Sequence, residues 1–364
     1  MSMKKDTGHT FYDEPEGTDD NISRSDYHID SILIRTETRT IFEVMRRIKA
    51  GRYILTPDFQ RDFVWDEARQ SRLIESVLMR IPLPVFYLAE RKDGKIVVVD
   101  GLQRLNTFHR YLTDRLTLKG LTGESTHLNG KKFEDLPAGL QTRIEDTNLI
   151  LFLIDSKVPA HAMLDIFEKV NSGEPLGRQQ MRNCLYSGKA TRWLADQAKH
   201  PDFLKATAGS LSPKRMRDRE LINRFCGFCL LGAENYKDDM DSFLAETLQY
   251  MNRMKDEELE ELSQKFQRSM KNNHIIFREH AFRKRTSPTQ ERRNVINAAL
   301  FDVFSVALAE YDEEFIRENA SDIQKIFFNL MSMDSFRLSV TSSTNSLKSV
   351  RERFEIVGKA LHGV

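Results

Sequence analysis

The chain has 364 residues, with 55 Lys and Arg against 54 Asp and Glu and a formal net charge of +1. That length allows two domains, and the balanced charge excludes a whole-molecule field for nucleic acid, so such a partner would have to be held by local patches. Cys184, Cys226 and Cys229 do not make an even disulfide set, and no apolar run has the length of a signal peptide core or a membrane span; the chain is expected to be reduced, cytoplasmic and free of membrane partners.

Residues 1–30 hold eight Asp or Glu against three Lys or Arg and few aliphatics, which predicts a disordered acidic tail. Residues 31–36 alternate Ile32 and Ile34 with polar neighbours, a short strand. Ile41, Val44, Met45 and Ile48 form a helical stripe that Gly51 stops. Pro57 keeps the next connection out of a helix, Asp66 is placed to N-cap a helix carrying Ile74, Val77, Leu78 and Ile81 on one face, and Pro82 and Pro84 end it.

Two β-rich runs, 85–90 and 95–99, flank Asp93-Gly94, which predicts a hairpin with a tight primed turn. The second run ends in Asp100-Gly101, and Leu102, Leu105, His109 and Leu112 then fall on one helical face. A buried strand feeding a helix N-terminus presents free backbone N–H groups and the positive dipole end, which suit a phosphate. Gly101 permits close backbone approach, Arg104 carries a forked charge, and Asp100 is the candidate ligand for a metal ion or a water. Read from spacing alone, the same residues more often make only a turn with an N-cap beside a surface arginine. A second Gln-Arg pair, Gln60-Arg61, lies between Phe59, Phe63 and Trp65, and an arginine from each pair would make a bidentate polyphosphate clamp.

Further on, 116–118 reads as a short strand, 137–146 as a helix opened by proline, and 148–154 as a continuous apolar strand covered on both faces. Strand signals then nearly vanish. The fold class is α+β: a sheet domain over 31–157 and a helical domain over 158–364. The Cys226-x-x-Cys229 pair sits in an apolar helical run and reads as core. Two basic runs interrupt the helices. Lys214, Arg215 and Arg217 belong to one, and Arg283, Lys284 and Arg285 to the other. Each either tracks a phosphate backbone or is a solvated helix face.

The strings TPDFQRDFVWDEARQSRLIESVLMRIPLPVFYL and VVVDGLQRLNTF resemble the N-terminal domain of the GmrSD-type restriction enzymes, known for a DGQQR motif and a ParB/sulfiredoxin-like fold. IFEKVNSGEPLGRQQMRN resembles the family's Asn-x-Gly-Gly-x-x-Leu segment, KRMRDRELINRF its helical follow-on, and SVTSSTNSLKSVRERF its stand-alone forms. The resemblance runs from about residue 31 to about 358. It implies a nucleoside triphosphate site with Mg²⁺, hydrolysis at the DGQQR loop, and a role in restricting foreign or modified DNA. It marks Asp100, Gln103 and Arg104 as catalytic and Gln60, Arg61, Gly101, Asn171, Gly173 and Arg182 as nucleotide-binding. Leu102 stands where the family has Gln, which costs an amide, and Glu174 stands where it has a second Gly. Larger relatives carry a nuclease module with paired histidines, whereas the nine histidines here are scattered.

Four readings follow. The site hydrolyses a nucleoside triphosphate; or Asp100 anchors a metal for DNA cleavage; or the sheet domain is a nucleotide switch for DNA or for a partner nuclease subunit; or the Gln-Arg pairs are structural, each arginine bound to carbonyls or to a nearby aspartate. Self-association is an added expectation.

Overall fold

The structure, a computed structural model, describes residues 14–18, 33–55, 65–170, 177–213 and 215–363. Two compact units divide the chain: Asp26–Leu176 with Met181–Ser187, and Met1–Ser25 with Gly177–Gln180 and Gly188–Val364. The division falls later than residue 157, because the helix after the sheet packs back onto it.

The first unit holds β1 (Ile34–Thr40), α1 (Ile41–Lys49), β2 (Tyr53–Ile54), α2 (Glu67–Leu78), β3 (Phe86–Glu90), β4 (Ile96–Asp100), α3 (Leu102–Leu112), α4 (Ala138–Glu145), β5 (Asn148–Ile154) and α5 (Ala160–Val170). The sheet order is β1-β5-β3-β4-β2, with β1–β5 and β3–β4 antiparallel and β5–β3 and β4–β2 parallel. Thr40 and Asp66 cap α1 and α2 through their side chains, accepting from the Glu43 and Arg69 amides, so two orphan donors are satisfied where the chain must change direction.

The hairpin forms at the expected place with a different turn. The Gly94 amide donates to the Arg91 carbonyl at 2.9 Å, the Arg91 amide donates to Lys95 at 2.8 Å, and Gly94 alone takes a positive φ, +75°. This is the three-residue loop whose last residue is left-handed.

One sheet face carries Leu149, Leu151 and Leu153 of β5, Phe86 and Leu88 of β3 and Val98 of β4. They form one core with Ile41, Val44, Ile74, Val77, Leu105 and Phe108 from α1, α2 and α3. On the other face, Ala89, Val99 and Ile154 pack against Met163, Ile166 and Phe167 of α5. β5 is an inner strand but is not covered along both faces: α5 shelters the Ile154 end, while Ile150 stays 45% exposed. Residues 116–118 form no strand. Leu116 and Leu118 are buried in an extended loop whose Leu118 backbone bonds the 130–131 turn.

α6 (Arg178–Leu185) straddles the division. The second unit then runs through α7 (Lys189–Gln197), α8 (Pro201–Ala206), α9 (Arg217–Leu230), α10 (Met240–Met251), α11 (Asp256–Phe277), α12 (Ala298–Ala307), α13 (Glu313–Ser332), α14 (Asp334–Ser339) and α15 (Leu347–Leu361). The protein is therefore α+β, a small five-stranded sheet followed by a mostly helical region. α10 and α11 are separate helices because the Lys255 amide is capped by Glu258 and three acids, Asp256, Glu257 and Glu258, open the second one.

Asp302 on α12 is fully buried between Arg224 of α9 and Arg353 of α15; its Oδ2 accepts from both guanidinium groups at 2.7 Å. The acidic tail departs from the expected disorder at residues 14–18: the Glu16 amide donates to the Ile296 carbonyl at 2.7 Å and the Ala298 amide to the Glu16 carbonyl at 2.8 Å.

Candidate functional site

β4 is buried until Asp100, the point at which the chain leaves the sheet. Gly101 makes the turn with φ +94°, and α3 starts at the next residue with no side-chain cap on its first amides. No other residue type fits at 101. A Cβ there would lie 2.3 Å from Phe86 Cδ1, and the left-handed backbone is already costly for an L residue. Leu102 points into the core with Leu105 and Phe108. The residue that replaces the family glutamine therefore packs α3 onto the sheet and leaves the junction to its neighbours.

Arg104 is buried and fully engaged. Its Nη2 donates to Asp100 Oδ2 at 2.8 Å and to the Val85 carbonyl at 3.1 Å, and Nη1 donates to the Pro84 carbonyl. The guanidinium carbon lies 4.2 Å from the Phe86 ring centroid. Burial pushes the Arg104 pKa down while Asp100 pulls it up, and burial prevails. The expected free phosphate fork is thus a strut tying α3 to the segment entering β3. This corrects the expected role: Arg104 holds Asp100 in place and lends the junction charge from behind. The Asp100 side chain remains 36% exposed.

Gln103 contributes a carboxamide oxygen that is buried and finds no hydrogen-bond partner among the described residues. Asp93 cannot join Asp100. It sits in the hairpin turn, paired with Arg91 at 3.2 Å, at the far end of β4, roughly 20 Å away at about 3.3 Å per residue.

Gln60 and Arg61, and Asn171 and Gly173, lie outside the described residues, as does Lys214. Arg182 is buried within α6 with its neighbour Asn183. Its charge bears on Tyr186, whose phenol burial pushes up to about 12, so it supports the interior and does not present its guanidinium to solvent.

Most of the described basic residues expected to face nucleic acid are engaged within the protein. Arg283 is fully buried: Nε donates to Asn294 at 2.7 Å, Nη1 to Ala281 at 3.0 Å, and Nη2 to Thr207 at 3.0 Å and Ser210 Oγ at 2.8 Å. Lys284 pairs with Glu16 at 2.5 Å, and Arg285 is buried against Phe328 with a bond to the Pro288 carbonyl at 2.6 Å. Arg217 pairs with Glu220 at 2.8 Å, while Arg215 is exposed and pairs with Glu14 at 3.1 Å. The local chain carries more loop than helix between 283 and 297, and its orphan carbonyls need those donors.

Sequence reasoning missed Phe86 and the Pro84 and Val85 carbonyls, the groups that actually hold Arg104. The signal was the pair of prolines, which leaves carbonyls without a strand or helix partner before β3.

A small mixed sheet whose fourth strand passes through a left-handed glycine into an uncapped helix defines an α+β domain with a strand–helix junction of the anion-accepting kind. Residues 41–187 match the family model of the GmrSD restriction endonuclease N-terminal domain. This stretch is a domain of that family, and it associates the chain with restriction and defence. No curated protein matches the chain.

Proposed function

We propose that the junction between β4 and α3 binds a nucleoside triphosphate and hydrolyses it. The observation that carries this reading is the combination at one turn of uncapped α3 amides, a partly exposed Asp100 braced by a buried cation, and the orphan Gln103 oxygen. The amides and helix dipole would take the phosphate charge. Gln103 Oε1 is an acceptor, so it would receive an O–H from the attacking water and aim it. Asp100 would hold the same water or Mg²⁺. Mg²⁺ needs few protein carboxylates when the substrate phosphates complete its shell, and a single aspartate fits that use. A DNA-cleaving site would ask for a second carboxylate beside Asp100, and Asp93 is too far to serve.

Titration with ATP, GTP and CTP in the presence of Mg²⁺, followed by phosphate release, tests the reading. Gln103→Ala should leave nucleotide affinity within a few-fold and slow phosphate release on the order of 100-fold. Asp100→Asn should remove the Mg²⁺ dependence. Absence of binding for all three nucleotides would sink the proposal.

A further inference from the structure

A second group of charged residues, away from the β4–α3 junction, gathers at the end of α1. The helix closes with a left-handed glycine cap: the Gly51 amide donates to the Ile48 carbonyl at 2.9 Å and the Arg52 amide to the Arg47 carbonyl at 3.0 Å, with Gly51 at φ +67°. This double bond pattern folds the residue after the glycine back over the last helical turn. Arg52 is thereby returned to Arg46 and Arg47, and these three with Ala50 line a cavity of 190 Å³.

Arg46 and Arg52 are exposed, while Arg47 donates to Glu43 at 2.9 Å. Glu43 also takes Arg39 at 2.6 Å, and Arg39 binds Glu37 as well. Among the described residues here, the cations Arg39, Arg46, Arg47, Lys49 and Arg52 thus outnumber the carboxylates Glu37 and Glu43. Like charges held together repel even in water, by about 1 kcal/mol per pair at about 4 Å. The cap enforces the arrangement, and an anion relieves it. β2 continues from Arg52 along an edge of the sheet, so the cluster is on a rim that a long ligand can pass.

We propose that the Arg46–Arg47–Arg52 cluster grips the phosphodiester backbone of duplex DNA. Guanidinium groups match phosphate geometry and are weakly hydrated, which favours phosphate over a carboxylate surface. The net charge of +1 supplies no general attraction, so a local cluster has to do it. In the helical unit Arg217, Arg283, Lys284 and Arg285 bind carbonyls and acids of their own unit, whereas Arg46 and Arg52 remain open. The inference is independent of the nucleotide reading: Arg52 meets β4 only through its carbonyl, which accepts from the Ile96 amide at the end of the strand opposite Asp100.

The test is fluorescence anisotropy of a short labelled duplex with the full chain between about 50 and 200 mM salt. Arg46→Gln/Arg52→Gln should weaken binding and make the salt slope shallower by about 1.8, near 0.9 for each phosphate no longer neutralised. Arg46→Lys/Arg52→Lys should recover most of the slope, and melting temperatures should be unchanged because both side chains are exposed. Unaltered affinity and slope in the Gln variant, or no duplex binding by the natural chain, would overturn the proposal. Displacement of the duplex by inorganic phosphate far beyond chloride at equal ionic strength would also overturn it and assign the cavity to free phosphate.

Discussion

Gly101 is the residue on which the junction's geometry depends most directly. Gly101→Ala combines a left-handed alanine with a methyl driven into Phe86, and should cost on the order of 3 kcal/mol in chemical denaturation. Arg104→Ala leaves the Pro84 and Val85 carbonyls and one Asp100 oxygen unsatisfied, so a loss of about 2–4 kcal/mol is expected. Arg104→Lys should recover little of it, since an ammonium cannot bridge three acceptors and lie on a ring. Glu37 gives a pH-dependent counterpart. Burial raises its carboxyl pKa, but hydrogen bonds from Arg39 and Arg35 outweigh this and hold the pKa below the ordinary value. The folded value being depressed, its stabilisation is complete above the unfolded pKa, about 4.3, and disappears as pH falls through the folded one. The melting-temperature gap between the natural chain and Glu37→Gln should therefore be widest near neutrality and close in acid.

At the level of elements, the helical unit is tied by a buried charge cluster spanning α9, α12 and α15. Asp302 is shared by two fully buried arginines, and Arg224 also donates to Asn345 at 3.1 Å. Asp302→Asn keeps the shape and removes the charge, leaving two cations with no counter-ion at that position. A loss of about 3–5 kcal/mol is expected by denaturant titration. The same logic explains why the basic run after α11 does not face outward. Loop carbonyls in an irregular segment must be satisfied, and Arg283 reaches four acceptors at once.

For the whole molecule, two compact units with separate cores predict separable unfolding. Calorimetry should resolve two transitions, with Gly101→Ala lowering one and Asp302→Asn the other. A single transition displaced equally by both substitutions would show that the units unfold together. Any bound nucleotide should raise the transition that Gly101→Ala lowers, because ligand binding to the folded form adds to that unit's stability.

Much of this was legible in the order of residues. Apolar spacing located the helices of the sheet unit, Asp66 located a start, and Asp93-Gly94 located the hairpin, because these signals act within a few residues; the stop came earlier than the proline pair implied, since a left-handed Arg80 closes the helix after Leu78 and leaves Ile81 outside it. The Asp100-Gly101 turn and the burial of Leu102 were equally local. The partners of Arg104 were not, since the Pro84 and Val85 carbonyls lie about twenty residues away and meet it only when β3 pairs with β4. Nor was the burial of Arg283, which depends on carbonyls from distant loops, or the meeting of Arg46 with Arg52, which a helix cap creates. Sequence by itself determined where most strands, helices and turns occur, because hydrophobic period and backbone freedom are short-range. The tertiary structure decided which charges are struts and which are open to a ligand, because that depends on what the folded chain brings within hydrogen-bond distance.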